Sequence, residues 1–242
     1  MVLSAAMKGI ILAGGSGSRL APLTKVTSKQ LLPIYDQPMV YFPLQTLIKA
    51  SIKDILFIVS PDHAGDYLNA LGSGAHFGCR FTYEIQDKPA GLAQGLSLAE
   101  TFVGGDSCMM ILGDNIYEHD FTEAVKQFTS GAHIFVKEVP DAERFGVVEM
   151  DENNHVLSII EKPKHPKSNL AQTGAYIYDE HVFDIIRQLK PSHRGELEIT
   201  DLNNLYLEKG VLTASLIEGE WIDAGTLESL FKAAEFRRKH VI

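Results

Sequence analysis

A glycine-rich loop follows the first apolar segment of the chain and ends on a cation. The stretch reads GIILAGGSGSR over residues 9–19, so Arg19 comes directly after the loop. Glycines allow backbone N–H groups to approach an anion closely, and a helix beginning near Arg19 would direct its positive end at the same point. The pattern indicates a phosphate site, although a tight strand-to-helix turn would need the same glycines.

The spacing of the loop excludes two well-known phosphate-binding motifs. A P-loop has Lys and then Ser or Thr after its last glycine, whereas Gly17 is followed by Ser18 and Arg19. The dinucleotide fingerprint has Gly or Ala three residues beyond Gly17, where this chain has Leu20. The loop alone therefore indicates an anion without specifying which one.

Cations cluster around the loop in a chain whose net charge is −9. Residues 1–35 contain no Asp or Glu but four basic residues, Lys8, Arg19, Lys25 and Lys29. The planar guanidinium of Arg19 suits a polyphosphate, and Lys29 adds a point charge. This distribution favours a local anion site, while the negative net charge argues against nucleic acid or an anionic membrane as a partner.

Two carboxylates stand at positions where a metal ion could bind. Asp114 in LGDN follows an apolar segment that predicts a strand, and Asp223 in WIDAGT lies between a predicted strand and a predicted helix. Ligands of open α/β sheets bind at the carboxyl ends of strands. Because Mg²⁺ usually takes only one or two protein carboxylates, this pair would suffice, although Asp114 and Asn115 could also simply form a turn.

An acid and a base are adjacent at the end of another predicted strand, at Glu161 and Lys162. Neighbouring strand residues point to opposite faces, unless the strand end turns both towards a ligand. In that case Glu161 could bind sugar hydroxyls and Lys162 a phosphate. The alternative is a solvent-exposed pair before Pro163.

Patterns of other chemistries are missing from the sequence. The nine histidines have no metal-ligand spacing, and no Ser-His-acid order stands out. Cys79 and Cys108 are too few for a disulfide scaffold, which favours a reducing cytoplasm. No apolar run reaches the length of a membrane span.

The elements that must position these residues alternate between strand and helix in the first half of the chain. Strands are predicted at 8–13, 54–60, 80–86 and 108–115, and helices at 38–52, 63–71 and 91–102. The second half predicts strands at 132–139, 145–150, 156–161, 172–178 and 211–218, a hairpin turn at 151–154, and helices at 179–189, 199–209 and 226–240. This order predicts an α/β fold with a Rossmann-like mixed, mainly parallel sheet flanked by helices and a smaller β-rich portion.

We expect residues 7–242 to form a single domain, because no linker, repeat or low-complexity tract divides them. Residues 1–6 are expected to be a leader that is disordered or not native.

The motifs together resemble one family, the sugar-1-phosphate nucleotidylyltransferases, over nearly the whole chain from Met7. The resemblance rests on GGSGSRL (14–20), SKQLLPIYDQPM (28–39), GLAQ (91–94), LGDNI (112–116), RFGVVE (144–149), IEKP (160–163), TG (173–174), RGELEITD (194–201) and WIDAGT (221–226). It implies the nucleotide-diphospho-sugar transferase type of Rossmann-like fold, with the β-rich portion binding the sugar. It also implies Mg²⁺ as cofactor, a homo-oligomeric dimer or tetramer, and a cytoplasmic place in polysaccharide precursor synthesis such as the dTDP-rhamnose pathway.

The resemblance also implies a role for each matching residue. Nucleotide binding falls to Leu12, Gly14, Gly15, Ser16, Gly17, Ser18, Arg19, Lys29, Gln30, Gln86, Gly91 and Asp114. Sugar-phosphate binding falls to Asn115, Gly146, Glu161, Lys162, Gln172, Thr173 and Gly174. Arg19, Lys29 and Lys162 are the implied catalytic residues, and Asp114 and Asp223 the implied metal ligands.

The implied reaction joins dTTP and glucose 1-phosphate to give dTDP-glucose and pyrophosphate, with UTP or another hexose 1-phosphate as the alternative. The attacking sugar phosphate has a second pKa of about 6 and is already ionised, so it needs no general base. Catalysis then requires cations, glycine amides and a metal to hold two polyanions together. A non-catalytic nucleotide-sugar sensor is a further alternative, although a sensor has no need of a leaving-group arginine.

Three positions depart from the family pattern. Phe145 stands where Tyr is usual, Ala21 replaces a bulkier residue, and Gln172 replaces a common Val. These changes leave the reaction intact and bear on the preferred sugar. Long members of the family continue with further helices that help to build a feedback site, so this short form is expected to lack that site or to have a reduced one.

Overall fold

The computed structural model describes residues 7–15 and 17–241. Its strands are β1 (Lys8–Ala13), β2 (Pro33–Ile34), β3 (Gln37–Pro38), β4 (Asp54–Val59), β5 (Arg80–Ile85), β6 (Cys108–Leu112), β7 (Asn115–Tyr117), β8 (Ala132–Glu138), β9 (Gly146–Met150), β10 (Val156–Glu161), β11 (Leu170–Tyr178), β12 (Leu212–Leu216) and β13 (Trp221–Asp223). Its α-helices are α1 (Tyr41–Lys49), α2 (Ala64–Leu71), α3 (Leu92–Ser97), α4 (Glu100–Val103), α5 (Thr122–Gln127), α6 (Val182–Ile186), α7 (Ile199–Glu208) and α8 (Leu227–His240). The predicted leader, residues 1–6, lies outside the described residues.

One large sheet joins the two halves of the chain, and it confirms the predicted fold class. Its strands run in the order β10-β9-β11-β6-β1-β4-β5, with β8 pairing β11 and β12 beside this path. Strands β6, β1, β4 and β5 are parallel to one another. The later strand β11 pairs antiparallel with β6 and so attaches the β-rich half to the parallel half.

Each face of the sheet has its own apolar core. Along β1, Ile10 and Leu12 point to one face, where α3, α6 and α7 pack, while Ile11 and Ala13 point to the other, where α1 and α2 pack. All four are 9% exposed or less, because a central parallel strand is covered on both sides. A third, smaller cluster lies between α8 and the ribbon formed by β13 and β7.

Several elements are shorter than predicted. The helix predicted at 38–52 begins at Tyr41, because Pro38 pairs with Pro33 in the short ribbon of β2 and β3. The helix predicted at 91–102 is divided into α3 and α4. The helix expected near Arg19 is only a single 3-10 turn, Ser18–Leu20.

The strand predicted at 108–115 ends at Leu112, and this break matters for the site. Gly113 N–H still donates to Leu12 in the sheet, but the chain then leaves it, and Asn115 pairs with Asp223 in the separate β7–β13 ribbon. Asp114 lies at this crossing between the two sheets. Of the helices in the part of the chain described, none has the length and apolar character needed to cross a membrane.

Candidate active site

A cleft of about 620 Å³ opens at the carboxyl ends of β1 and β6 and extends over β9, β10 and β11. Most of the residues predicted to bind substrate line it: Leu12, Gly14, Gly15, Arg19, Lys29, Gln30, Gln86, Gly91, Asp114, Asn115, Gly146, Glu161, Lys162, Gln172, Thr173, Gly174 and Asp223. A parallel sheet brings the ends of its strands to one edge, so residues far apart in sequence meet there. Gly17 and Ser18 are not part of the lining, and Ser16 lies outside the described residues.

The glycine loop closes one end of the cleft. Gln86 Oε1 lies 2.5 Å from where a Cβ on Gly14 would stand, so Gln86 packs directly against the loop backbone. Gly17 has φ of +63°, a left-handed conformation that favours glycine, and its carbonyl accepts a hydrogen bond from Thr24 at 3.1 Å. The loop thus turns sharply and leaves Gly15 and Arg19 facing the cleft.

Lys29 and Asp114 form a buried ion pair across the cleft floor. Lys29 Nζ donates to Asp114 Oδ2, and Asn115 Nδ2 donates to Asp114 Oδ1 at 3.1 Å. Burial acts to raise the pKa of Asp114, but the charge and hydrogen bond of Lys29, with the amide of Asn115, outweigh it and keep the pKa below its ordinary value. Asp114 is therefore an anion held beside a cation.

Asp223 is a second, partly buried carboxylate at the same point. Burial, and then the charge of Asp114, raise the pKa of Asp223 to about 6. Arg19 is also close, since a Cβ on Gly225 would lie 2.9 Å from both Arg19 Nη2 and Asp223 Oδ1. The segment is held by the capping box of α8, in which Thr226 and Ser229 exchange hydrogen bonds at 3.0 and 3.2 Å.

The two carboxylates fit a divalent cation. Each raises the cost of ionising the other in a buried place, and a bound cation would relieve that cost. Across residues 7–15 and 17–241, no group of three or more His, Cys, Asp or Glu is arranged to hold a metal. Asp114 and Asp223 are the two neighbouring carboxylates that could hold such a cation, if water or phosphate oxygens complete its ligands.

The opposite end of the cleft carries the acidic and basic pair predicted from sequence. Lys162 has φ of +43°, so the chain turns left-handed directly after β10 and both Glu161 and Lys162 line the cleft. Lys162 Nζ lies 2.9 Å from Glu161 Oε1, and Thr200 Oγ1 donates to Glu161 Oε2 at 2.6 Å. The strand end therefore turns both side chains towards the same space.

Sequence reasoning assigned no role to several charged residues of the lining, among them Arg144, Arg194 and Glu198. Arg194 Nη2 donates to both carboxylate oxygens of Glu198, at 2.9 and 2.8 Å, and lies 3.7 Å from Glu161 Oε1. These contacts raise the pKa of Arg194, and the hydrogen bonds that Arg194 donates to Glu198 contribute most. Arg194 and Glu198 belong to the motif RGELEITD, which contributed to the family resemblance but did not predict the contacts of these two side chains.

Aromatic rings close the side of the cleft between the two ends. Trp221 Nε1 donates to Asn115 Oδ1 at 2.7 Å, and the Phe145 ring lies 5.1 Å from the Trp221 ring. Phe145 has no hydroxyl, so its ring gives this wall an apolar surface where a tyrosine would add a polar group.

The chain matches known proteins over almost its whole length. The family model described as nucleotidyl transferase matches residues 8–240. A glucose-1-phosphate thymidylyltransferase of Neisseria gonorrhoeae is 52% identical over 236 residues, which cover 95% of this chain and 82% of that protein. One of Mycobacterium tuberculosis is 47% identical over 237 residues, covering 96% of this chain and 82% of the relative.

Solved structures agree with these relatives. A Bacillus anthracis protein assigned as a glucose-1-phosphate thymidylyltransferase, crystallised with sucrose, superposes with a TM-score of 0.92 at 52% identity, covering 96% of each chain. A UDP-glucose pyrophosphorylase in complex with UDP-glucose superposes with a TM-score of 0.84 at 24% identity, covering 97% of this chain and 99% of that one, and supports the fold alone. The chain is therefore an enzyme of the nucleotidyl transferase family.

Proposed function

We propose that the chain joins dTTP and glucose 1-phosphate to give dTDP-glucose and pyrophosphate. One observation carries this proposal: a single cleft holds a charged group for a triphosphate at one end and an acidic and basic pair for a sugar phosphate at the other. The first consists of Arg19, Lys29, Asp114 and Asp223 beside the glycine loop, and the second of Glu161 and Lys162. Relatives at about half identity that carry this activity in their names support the same substrates.

The glycine-loop end suits the nucleotide. The amides of Gly14 and Gly15 and the guanidinium of Arg19 would bind the phosphates, with Arg19 on the departing pyrophosphate. Gln86, fixed by its hydrogen bond to Gln94 Oε1 at 2.7 Å, would bind the base edge together with Gly91. Gln30 would contact the nucleotide, since Ser28 donates to its Oε1 at 2.8 Å and its amide nitrogen has no hydrogen-bond partner among residues 7–15 and 17–241. Ser16, Gly17 and Ser18 remain predicted contacts of the triphosphate.

The opposite end suits the sugar phosphate. Glu161 offers a carboxylate to sugar hydroxyls and Lys162 a cation to the phosphate. Gly146, Gln172, Thr173 and Gly174 complete this wall. Arg194 adds a second cation, 33% exposed and therefore accessible to an anion if its contacts with Glu198 rearrange.

Asp114 and Asp223 would hold a Mg²⁺, which when bound neutralises nucleotide phosphate charge and orients it. The chain's own residues do the rest of the positioning. Lys29 neutralises the buried Asp114 and brings its ammonium to the phosphates, and Lys162 holds the attacking phosphate in line with the α-phosphorus. The phosphate nucleophile is already ionised, so the reaction needs no general base. The anomeric carbon does not react, so its configuration is retained.

We further propose that residues 7–242 act as one catalytic domain. Strands from both halves pair in one sheet, and both halves line one cleft. Separating the halves would divide the proposed substrate site between two pieces.

Pyrophosphate release, measured with each of several nucleoside triphosphates and several hexose 1-phosphates, tests the proposal. We expect the highest kcat/KM with dTTP and glucose 1-phosphate, and none without a divalent cation. Highest activity with UTP or another hexose phosphate would correct the substrates, and no turnover with any pair would refute the enzyme in favour of a binding protein.

A further inference from the structure

Three buried polar side chains lead from the core of the molecule to the sugar end of the cleft. Tyr178 and Asn203 are 0% exposed, and Gln172, which lines the cleft, is 5% exposed. Tyr178 Oη donates to Asn203 Oδ1 at 2.7 Å, and Asn203 Nδ2 donates to Gln172 Oε1 at 2.7 Å. Tyr178 and Gln172 belong to β11, and Asn203 reaches them from α7.

The hydroxyl of Tyr178 sets the direction of both hydrogen bonds. Burial raises the pKa of Tyr178 well above its ordinary value, so the hydroxyl keeps its proton and must donate it. Among the described residues, its hydrogen bond is the one to Asn203 Oδ1. Turning the Asn203 amide over would leave this buried hydrogen without an acceptor, which is unfavourable. Asn203 therefore directs its NH₂ group at Gln172, and Gln172 must accept through Oε1.

The NH₂ group of Gln172 lies in the cleft wall beside Tyr176, where burial raises the pKa of Tyr176 and a hydrogen bond from Gln172 opposes that rise. One amide hydrogen of Gln172 is thus directed at the Tyr176 hydroxyl, and the second is left for a ligand. A Cβ on Gly146 would lie 2.9 Å from Thr200 Oγ1, 3.2 Å from Gln172 Nε2 and 3.5 Å from Glu161 Oε2. Because Gly146 has no side chain, these polar atoms come close to its Cα, and the Gln172 amide and the Glu161 carboxylate lie side by side in the cleft wall. A hydroxyl is the group that can accept from the amide and donate to the carboxylate at once.

We propose that Gln172 recognises one hydroxyl of the sugar, which accepts from Gln172 Nε2 and donates to Glu161. Gln172 is then a specificity-determining residue, and Asn203 and Tyr178 are positioning residues that hold its amide in the donor orientation. The site selects sugar phosphates with a hydroxyl at that carbon over those that lack it or carry an ammonium group there. The inference rests on the proposed function, because it assigns the sugar end of the same cleft.

The first experiment measures kcat/KM for glucose 1-phosphate and its monodeoxy analogues at C2, C3, C4 and C6. In the unmodified enzyme we expect kcat/KM for one analogue to fall by about tenfold or more, because one amide hydrogen of the buried Gln172 then has no acceptor. In Gln172→Leu we expect glucose 1-phosphate itself to lose activity, and the ratio for that same analogue to fall towards one. Unchanged ratios for every analogue in Gln172→Leu would overturn the proposal.

The second experiment separates positioning from general stability. Tyr178→Phe removes the hydroxyl that directs Asn203, whereas Tyr206→Phe removes an equally buried hydroxyl, 1% exposed, that donates to Asp179 at 2.9 Å. We expect Tyr178→Phe to weaken discrimination against the same analogue and Tyr206→Phe to leave it as it is. Equal effects of the two variants would overturn the positioning role, whatever their effects on thermal unfolding.

A third variant inverts the orientation. In Asn203→Asp an ionised carboxylate can only accept, so the Gln172 amide must turn and present Oε1 to the cleft. Burial raises the pKa of such a carboxyl group, so the variant is compared at alkaline pH, where it is ionised. The preference in kcat/KM for a sugar phosphate with a hydroxyl at that carbon should then fall. A sugar phosphate with a group there that only donates hydrogen bonds should be used better than by the unmodified enzyme. If this variant does not fold, the two tyrosine variants decide the question. Absence of turnover in the unmodified enzyme with every substrate pair would refute the proposed function, and this inference with it.

Discussion

A charge placed in the cleft can lower the free energy of unfolding, and Asp223 is an example. Its pKa is raised to about 6 by burial and by Asp114, so at neutral pH the folded chain carries an anion that its surroundings disfavour. A carboxyl group whose pKa is raised on folding is less stable as an anion in the folded chain than in the unfolded chain. Because strongly shifted pKa values cluster at functional sites, this shift supports a functional role for Asp223.

Asp223→Asn should therefore inactivate the enzyme without destabilising it. The amide has the same shape but lacks the charge that a cation requires, so we expect divalent-dependent kcat to fall by about a hundredfold or more. The thermal midpoint should equal or exceed that of the unmodified protein, because a disfavoured buried charge is gone. Scanning calorimetry and pyrophosphate release measure the two effects. Near-normal turnover would show that Asp223 does not hold the cation.

Lys162→Ala should impair use of the sugar phosphate more than that of the nucleotide. Lys162 lies at the end of the cleft opposite the glycine loop, and loss of a charge-assisted hydrogen bond to phosphate costs about 1.5–3 kcal/mol, or roughly tenfold to a hundredfold in kcat/KM for glucose 1-phosphate. Lys164→Ala is the control, since Lys164 is exposed, close in sequence and not part of the cleft lining. Equal losses for both substrates would contradict the assignment of Lys162.

Helices and turns decide which way the site residues face. The segment that carries Lys29 and Gln30 is anchored by Tyr67 of α2, whose buried hydroxyl lies 2.8 Å from Ser28 Oγ, 3.2 Å from Ala13 O and 3.3 Å from Gln30 Oε1. One helix thus ties the glycine-loop strand to the segment that follows it.

Tyr67→Phe should raise the KM for dTTP by about fivefold, because Gln30 and the loop lose a shared hydrogen-bond partner worth about 1 kcal/mol. The KM for glucose 1-phosphate should change little. Tyr41→Phe is a suitable control, as its hydroxyl also bonds to α2, at Ala70 O, but touches no site residue. If both variants act alike on dTTP, the anchoring role of Tyr67 is wrong.

The starts of β1 and β4 are held together by a partly buried ion pair with a defined pH dependence. Lys8 Nζ donates to Asp54 Oδ2 at 2.9 Å, and the side chains are 15% and 28% exposed. The hydrogen bond from Lys8 lowers the pKa of Asp54. Burial acts in the opposite direction, and the hydrogen bond from Arg80 lowers the pKa further. The stabilisation is therefore present above the unfolded value near 3.8 and is lost as pH falls through the lower folded pKa.

Asp54→Asn should reduce the free energy of unfolding by about 1 kcal/mol at pH 7 and by progressively less towards acid pH. Urea unfolding across this range measures it. Asp106→Asn serves as control, because Asp106 lies 3.8 Å from the same Lys8 Nζ and is 35% exposed. If the free energy of unfolding lost in Asp54→Asn does not change with pH, the stabilisation by Asp54 is not electrostatic.

The molecule as a whole brings its two substrate ends together through one sheet. The parallel half supplies the glycine loop and the carboxylate at the end of β6, and the antiparallel half supplies Glu161, Lys162 and Gln172. A product that spans both ends should therefore act on both halves.

Hydrogen exchange should record this span. We expect dTDP-glucose to slow exchange at backbone amides of both 12–19 and 161–174, and dTDP alone to slow it mainly at 12–19, because a ligand suppresses local opening where it binds. The product should also raise the thermal midpoint more than dTDP at equal concentration. Protection confined to the glycine loop with both ligands would place the sugar elsewhere.

The amino-acid sequence by itself determined the fold class and the identity of most cleft residues. Buried strands and amphipathic helices follow from local apolar periodicity, and glycines and charges at strand ends mark a site because parallel strands end at one edge. The sequence is therefore sufficient to identify five site residues, without their contacts: Lys29, Asp114, Glu161, Lys162 and Asp223.

Only the tertiary structure decided how these residues face one another. Glu161 and Lys162 both face the cleft because Lys162 has a left-handed backbone conformation, which no periodicity predicts. Strand β6 ends before Asp114, so Asp114 lies beside Asp223 of the second sheet. The tertiary structure also brought Arg194 into the site and linked Tyr178 through Asn203 to Gln172. These contacts depend on side-chain packing between elements distant in sequence, which local patterns do not encode.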